Sequence, residues 1–322
     1  MKAIRRIGGG LGILFLLLPL LTGCSTKATP AGGDALRGTI TVSGAWALYP
    51  MMVRWGEEFT RLHPEVQFDI SAGGAGKGLT DALSGAVDIG MVSRDIAPEE
   101  EAKGAYWIAV TKDAVFPSVN AANPVLQDLL AQGVSQETFT KIYITGEITN
   151  WGQVVGRSEI TDPIHIYTRS DAAGAPDAWA KYLGKKQENL LGIGVYGDPG
   201  IADAVLKDPL GIGYNNLTYA FDPASGKPVP GAVVLPIDVN GNGVADPDEV
   251  IETKAAAVQA VTEGKFPSPP AKMLNLVTKG QPSGLVRDFL LWIVGDGQKF
   301  LGEAGYVPLT PEQVAAAKEK LK

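Results

Sequence analysis

The chain is poor in the residues that thiol and soft-metal chemistry need. It has one cysteine, Cys24, and two histidines, His63 and His165, in 322 residues. A lone cysteine excludes a disulfide within the chain and a thiolate metal cluster. His63 abuts Pro64 and His165 falls in a strand-like run, with no second ligand at metal spacing from either, so both read as structural. Basic runs are missing too. Lys and Arg number 28 against 35 Asp and Glu, for a net charge of −7, and no basic stretch interleaves with aromatics, so nucleic acid is not an expected partner. No apolar run beyond residue 20 is long enough to span a bilayer. Ser43, Ser93 and Ser170 lie in no Gly-x-Ser-x-Gly elbow, which argues against a serine hydrolase; a secreted phosphohydrolase would lack its nucleophile–base pair. Gly73–Gly78 contains Gly-Lys, but Ser71 stands where an ATP loop needs glycine and Gly78 where it needs Ser or Thr.

What is present begins at the N-terminus. Lys2, Arg5 and Arg6 precede the apolar run 7–20, which is too short and wrongly flanked for a spanning helix and reads as an export signal, residues 1–23. Leu21-Thr22-Gly23-Cys24 resembles a bacterial lipoprotein signal. That resemblance implies cleavage before Cys24, lipidation of Cys24, and a protein held on a membrane facing the periplasm or the cell exterior. Residues 24–37 are small and polar and read as a flexible tether. Loss of the three basic signal residues takes the charge from −7 to −10. The remaining ~285 residues suit two lobes better than one.

Strand-like and helix-like stretches then alternate. Residues 38–43 read as a strand and 50–62 as a helix with Met51, Met52, Trp55, Phe59 and Leu62 on one stripe, ended by His63-Pro64. A strand at 66–70, the glycine run Gly73-Gly-Ala-Gly-Lys-Gly78, a helix at 79–84 and an apolar strand at 87–92 follow. A glycine-rich turn opening a helix exposes backbone N–H groups and the positive end of the helix dipole, a place to hold an anion. This order predicts a mainly parallel sheet with ligand loops at the strands' carboxyl ends. Residues 106–119 form a long extended stretch that crosses to a second lobe. That lobe carries strands near 164–168, 192–196 and 211–214 and a helix at 175–183; the chain returns near 273–278 and ends in helices at 283–295 and from 311.

Together these residues resemble the substrate-binding proteins of phosphate ABC importers, the PstS family. The resemblance is carried by Ser43-Gly44 before Pro50, by Gly73–Gly78, by Val87-Asp-Ile-Gly-Met-Val-Ser-Arg94, by Ile148-Thr-Asn-Trp151, by Arg169-Ser-Asp-Ala-Ala-Gly174 and by Gly295–Leu309. It implies an α/β, two-lobed periplasmic-binding-protein type II fold, with a mainly parallel mixed sheet in each lobe and crossover strands between them. Lobe one would comprise residues 38–112 and 265–322, and lobe two residues 113–264. It implies no catalysis and no required cofactor. The expected partners are a small oxyanion and an ABC permease, and the protein is expected to be a monomer. The ligand loops it implies contain Ala45, Trp46 and Ala47; Ala75, Gly76 and Lys77; Ser93 and Arg94; and Arg169, Asp171, Ala173, Gly174 and Ala175. Arg94 and Arg169 are the expected bidentate oxyanion partners, and Asp171 the acceptor for a proton-bearing anion.

The sequence departs from the family where hydroxyls line the site: Ala45, Trp46, Ala75, Val92, Ala173 and Ala175 stand at those positions. Two readings follow, phosphate in a site made mostly of backbone donors, or a different anion such as molybdate, tungstate or a phosphonate. A ligand-sensing lipoprotein is the alternative role. Separately, Asp238–Glu249 fits the twelve-residue EF-hand spacing, with Asp238, Asn240, Asn242, Val244 (through its carbonyl), Asp246 and Glu249 at ligand positions and Gly243 at the sixth. A structural Ca2+ clip and a plain Asn-Gly hairpin turn both remain open there.

Overall fold

The computed structural model describes residues 36–267 and 271–322. The expected signal, the lipidation point Cys24 and nearly all of the tether lie outside the described residues. The chain enters through β1 (Gly38–Gly44), helix α1 (Tyr49–Leu62), β2 (Val66–Ala72), helix α2 (Ala75–Ser84) and β3 (Ile89–Val92), then β4 (Ala105–Asp113). A single residue, Ala114, separates β4 from β5 (Val115–Asn120). Then come β6 (Val134–Ser135), β7 (His165–Arg169), β8 (Ile193–Val195), β9 (Gly211–Asn216), β10 (Ala232–Val234) and β11 (Ile237–Asp238), before the chain returns in β12 (Lys272–Lys279).

These strands make two five-stranded sheets, ordered β2-β1-β3-β12-β4 and β10-β5-β9-β7-β8, plus the small pair β11-β6. Each large sheet is mixed. β1 pairs in parallel with β2 and β3, whereas β12 runs antiparallel to β3 and β4. In the second sheet β7 pairs in parallel with β8 and β9, whereas β5 runs antiparallel to β9 and β10. The antiparallel strands are those entering or leaving a lobe, because a strand that crosses over must return in the opposite sense. The stretch 106–119, continuous by pattern, is therefore two strands in two sheets. This is the architecture of a two-lobed periplasmic-binding fold.

Each lobe has its own core. Met51, Met52, Trp55 and Phe59 of α1 are buried, as their stripe predicts. Phe59 meets Phe289 edge-on at 5.0 Å, and the Trp55 indole donates to the Gly297 carbonyl at 2.9 Å, which ties the C-terminal segment to α1. In lobe two Trp179 stacks on Tyr214 at 5.7 Å and meets Phe139 edge-on at 5.0 Å.

Helix α2 starts at Ala75, four residues earlier than the glycine pattern predicts. Glycine costs a helix about 1 kcal/mol relative to alanine, but packing outweighs it here. A Cβ on Gly78 would stand 2.5 Å from the Met91 carbonyl oxygen and 2.8 Å from Gly44 Cα; one on Gly90 would stand 2.2 Å from the Gly78 carbonyl. The glycines let α2 lie directly on β1 and β3.

Where the chain crosses between lobes, a buried ion pair holds both crossovers. Lys272, opening β12, places Nζ 3.3 Å from Asp113 Oδ2 at the end of β4 and 2.5 Å from Asn216 Oδ1 at the end of β9. Asp113 Oδ1 accepts from Leu217 N at 3.2 Å. Burial pushes the Asp113 carboxyl up, and the Lys272 charge offsets part of that rise.

Candidate functional site

The loops expected at the ligand meet where two helix N-termini come together across the lobes. Helix α2 begins behind Gly74, whose φ of 90° only glycine adopts readily, and has no side-chain cap. The helix Gly174–Tyr182 begins behind Ala173, also with no side-chain cap. First-turn N–H groups have no partner in their own helix. Ala75 and Lys77 on one helix, and Gly174 and Ala175 on the other, present such groups; Pro176 has none to give. Gly76 N donates across the lobes to the Ala172 carbonyl at 3.0 Å. A Cβ on Gly174 would stand 2.0 Å from the Ser93 carbonyl oxygen, and one on Gly74 would stand 2.6 Å from Asp171 Oδ2. The four loops expected at the ligand thus converge on one seam, which only glycine allows to close this far.

The walls of the seam are apolar. Ala45, Ala75, Ala173 and Ala175 are all buried. Several loop donors serve the fold itself: Ala45 N donates to the Met91 carbonyl at 2.9 Å, and Gly73 N and Gly74 N both donate to the Gly44 carbonyl. Ala47 is buried with its carbonyl turned to the Tyr306 hydroxyl at 2.8 Å. Ser43 turns its hydroxyl to Asp81 Oδ2 at 2.7 Å. Trp46 reaches across the lobes, edge-on to Tyr196 at 6.1 Å, and its carbonyl accepts from the Tyr219 hydroxyl at 3.4 Å. Its indole nitrogen is buried without a hydrogen-bond partner.

The cations are arranged differently from the sequence expectation. Lys77 pairs with Asp81 one turn along its own helix. Arg94 is held by Glu100, with Nη1 to Oε2 at 2.9 Å and Nη2 to Oε1 at 2.8 Å. This pairing raises the Arg94 guanidinium against the pull of burial, and the Arg94 hydrogen bond lowers the Glu100 carboxyl. Both terminal nitrogens of Arg94 are thus tied within its own segment. Arg169 is the buried cation of the seam, its side chain 1% exposed. Its Nε and Nη2 meet Asp171 at 2.7 and 2.5 Å, and its Nη1 meets Asp198 Oδ2 at 2.8 Å. Burial pulls the Arg169 guanidinium down, but the Asp198 charge and then Asp171 more than reverse that, leaving it above the ordinary arginine value. Asp171 Oδ1 also accepts Gly197 N at 3.2 Å. Gln187 braces the loop by donating to the Asp171 carbonyl at 2.8 Å and accepting from Ala173 N at 3.3 Å.

Asp198, Gln187 and Glu100 were not singled out by sequence. Asp198 opens a helix in Gly197-Asp198-Pro199, where an acidic residue needs no explanation beyond the helix start. Only the parallel pairing of β7 with β8 brings it beside Arg169.

The 238–249 loop lies in lobe two. Asp238 accepts the N–H groups of Gly241 and Asn242 on Oδ1 and of Gly243 on Oδ2. Glu249 accepts from Val239 N and Asp246 N, and Asp246 Oδ2 accepts from the Asn240 and Asn242 amides. Val244 is exposed. Among the described residues no group of three or more His, Cys, Asp or Glu is arranged to hold a metal. The loop closes on its own hydrogen bonds, and the calcium expectation rests on the spacing alone.

Comparison with known proteins agrees with this architecture. The Bacillus subtilis phosphate-binding protein PstS is 26% identical over 292 residues, covering 90% of this chain and 87% of that one. Protein SphX of Synechococcus elongatus is 26% identical over 320 residues, covering 95% and 88%. A crystal structure from Clostridium perfringens with bound phosphate superposes with a TM-score of 0.69 at 23% identity, covering 85% of this chain and 100% of that one. Residues 29–296 match the PBP superfamily domain. The chain belongs to the PBP superfamily, and within it is PstS-like along its length.

Proposed function

We propose that the protein captures a phosphate-like oxyanion outside the cytoplasm, between the α2 and Gly174–Tyr182 helix ends, and delivers it to an ABC permease. It belongs to a family of binding proteins and is not an enzyme. The observation that carries this reading is the pair of uncapped helix N-termini facing each other across the lobes, beside one buried arginine. Each end presents N–H donors and about half a positive charge, which favours an anion without a lysine at the contact. Relatives that are phosphate-binding proteins support phosphate as the ligand. The alanines in the wall favour an anion held by backbone donors, and keep molybdate, tungstate and phosphonates as the second reading. Ala75, Gly76, Gly174, Ala175, Arg169 and Asp171 are the residues we place at the ligand; a Cys24 lipid anchor and a monomeric state complete the proposal.

A thermal-shift panel of phosphate, arsenate, sulfate, molybdate, tungstate and phosphonates on the full-length protein tests it. A ligand at a hundred times its Kd stabilises by about 2.7 kcal/mol, so phosphate is expected to raise Tm by several degrees and Arg169→Ala to abolish the shift. A panel in which no anion moves Tm overturns the reading.

A further inference from the structure

The inference rests on the anion-binding reading and concerns what the anion carries. A cavity of about 750 Å³ lies between the lobes, within the size range of small-molecule sites. Its lobe-one wall is a row across three neighbouring strands. Met273 of β12 pairs with Lys112 of β4, and Asn275, two residues on, pairs with Val92 of β3. The register therefore sets Arg94, just past β3, on the other side of Met273, and all three line the cavity. The facing wall belongs to the Gly174–Tyr182 helix, through Ala178 and Lys181. Val261 and Phe266, both buried, add apolar surface from lobe two.

The cavity continues the seam along the same two elements. Gly174 packs on the Ser93 carbonyl at the seam, and Arg94 follows Ser93. Ala178 stands one turn beyond Gly174 on the same face of its helix, about 6 Å along the axis. An oxyanion at the helix N-terminus can thus extend a short substituent into the cavity. The cations there are matched, with one exception. Arg94 pairs with Glu100, Lys272 with Asp113 and Lys265 with Glu263. Lys181 pairs with Asp177 at 3.0 Å and, across the lobes, with Asp95 at 3.4 Å. Lys112, half-buried on β4, has no ion-pair partner among the described residues.

We propose that the cavity is the tail site of an organic ligand: a phosphoryl group carrying a short carbon chain that ends in a second anionic group. The phosphoryl headgroup sits at the helix ends. The chain runs over Ala178 and Met273, where its carbon is removed from water. The terminal anion meets Lys112 and supplies the partner that this lysine lacks. Between the lobes that contact is screened less than one on the open surface. Phosphate alone would leave Lys112 and the cavity unused.

Calorimetric titration of the full-length protein with phosphate, propylphosphonate and phosphonopropionate separates the headgroup from the tail. The wild type is expected to bind phosphonopropionate about tenfold more tightly than propylphosphonate. Lys112→Met keeps the unbranched side chain and removes its charge. It is expected to bring the two phosphonates to equal affinity, with phosphate binding unchanged. Met273→Trp fills the cavity and is expected to weaken both phosphonates by about tenfold or more, again sparing phosphate. A wild type that does not distinguish the two phosphonates overturns the proposal. So does a Lys112→Met variant that loses the same factor for all three ligands. If Lys112→Met does not fold, Met273→Trp decides in its place, and equal weakening of all three ligands overturns the proposal. A wild type that binds none of the three defeats the anion reading itself. Binding of phosphate alone is a distinct result, which overturns only the tail site.

Discussion

At the scale of single residues, the alanines of the seam are the most consequential feature. Ala75 occupies the first position of α2 and is fully buried; in the proposed site its methyl group replaces a hydroxyl that would add a donor to the cradle. A hydrogen bond to a charged group contributes about 1.5–3 kcal/mol. Ala75→Ser is therefore expected to tighten phosphate binding about tenfold or more by calorimetry; unchanged affinity would mean that this wall does not face the ligand. Arg94 teaches the converse lesson. Its position in the chain suggests a ligand, but Glu100, six residues on, folds back through the short helix Pro98–Glu101 and takes both ends of the fork. Pairings of that kind depend on which rotamer the local turn permits, and residue type alone does not carry that information.

At the scale of elements, the glycine positions decide how far the lobes close. The beginning of the Gly174–Tyr182 helix lies directly on Ser93. Gly174→Ala adds a Cβ that no rotation can remove from the Ser93 carbonyl. It is expected to abolish anion binding while leaving the Tm of the free protein nearly unchanged, because each lobe keeps its own core. Equal loss of Tm and affinity would contradict this. The 238–249 loop makes a separate prediction. Asp238→Ala strips the acceptor from three N–H groups and is expected to destabilise by about 1–3 kcal/mol, equally with calcium and with excess chelator. A loss seen only with calcium would show that the loop takes the cation its spacing suggests. Most strands were legible from alternation and from the glycines between them, as β1 to β3 show. The start of α2 was not, because propensity at Gly76 and Gly78 argues for a loop while their contact with β1, β3 and lobe two is a property of the folded packing. Asp198 was hidden for a similar reason: its partner is 29 residues away and is reached only through sheet pairing.

At the scale of the whole molecule, two cores are joined by strands that pass through one buried charged contact. Lys272→Met leaves Asp113 buried without its cation. Breaking such a pair costs about 3–5 kcal/mol, so unfolding by denaturant is expected to show that loss; a loss under about 1 kcal/mol would mean water reaches the carboxylate. The same contact has a mechanical side. Outgoing β4, returning β12 and the end of β9 in lobe two are tied at Asp113, Lys272 and Asn216, all within one side chain's reach. Points so fastened cannot slide past one another. Opening the seam at Gly76 and Gly174 is therefore expected to turn about this spot, as a jaw turns about its hinge, and the distance the helix ends travel is then set by their lever arm from it.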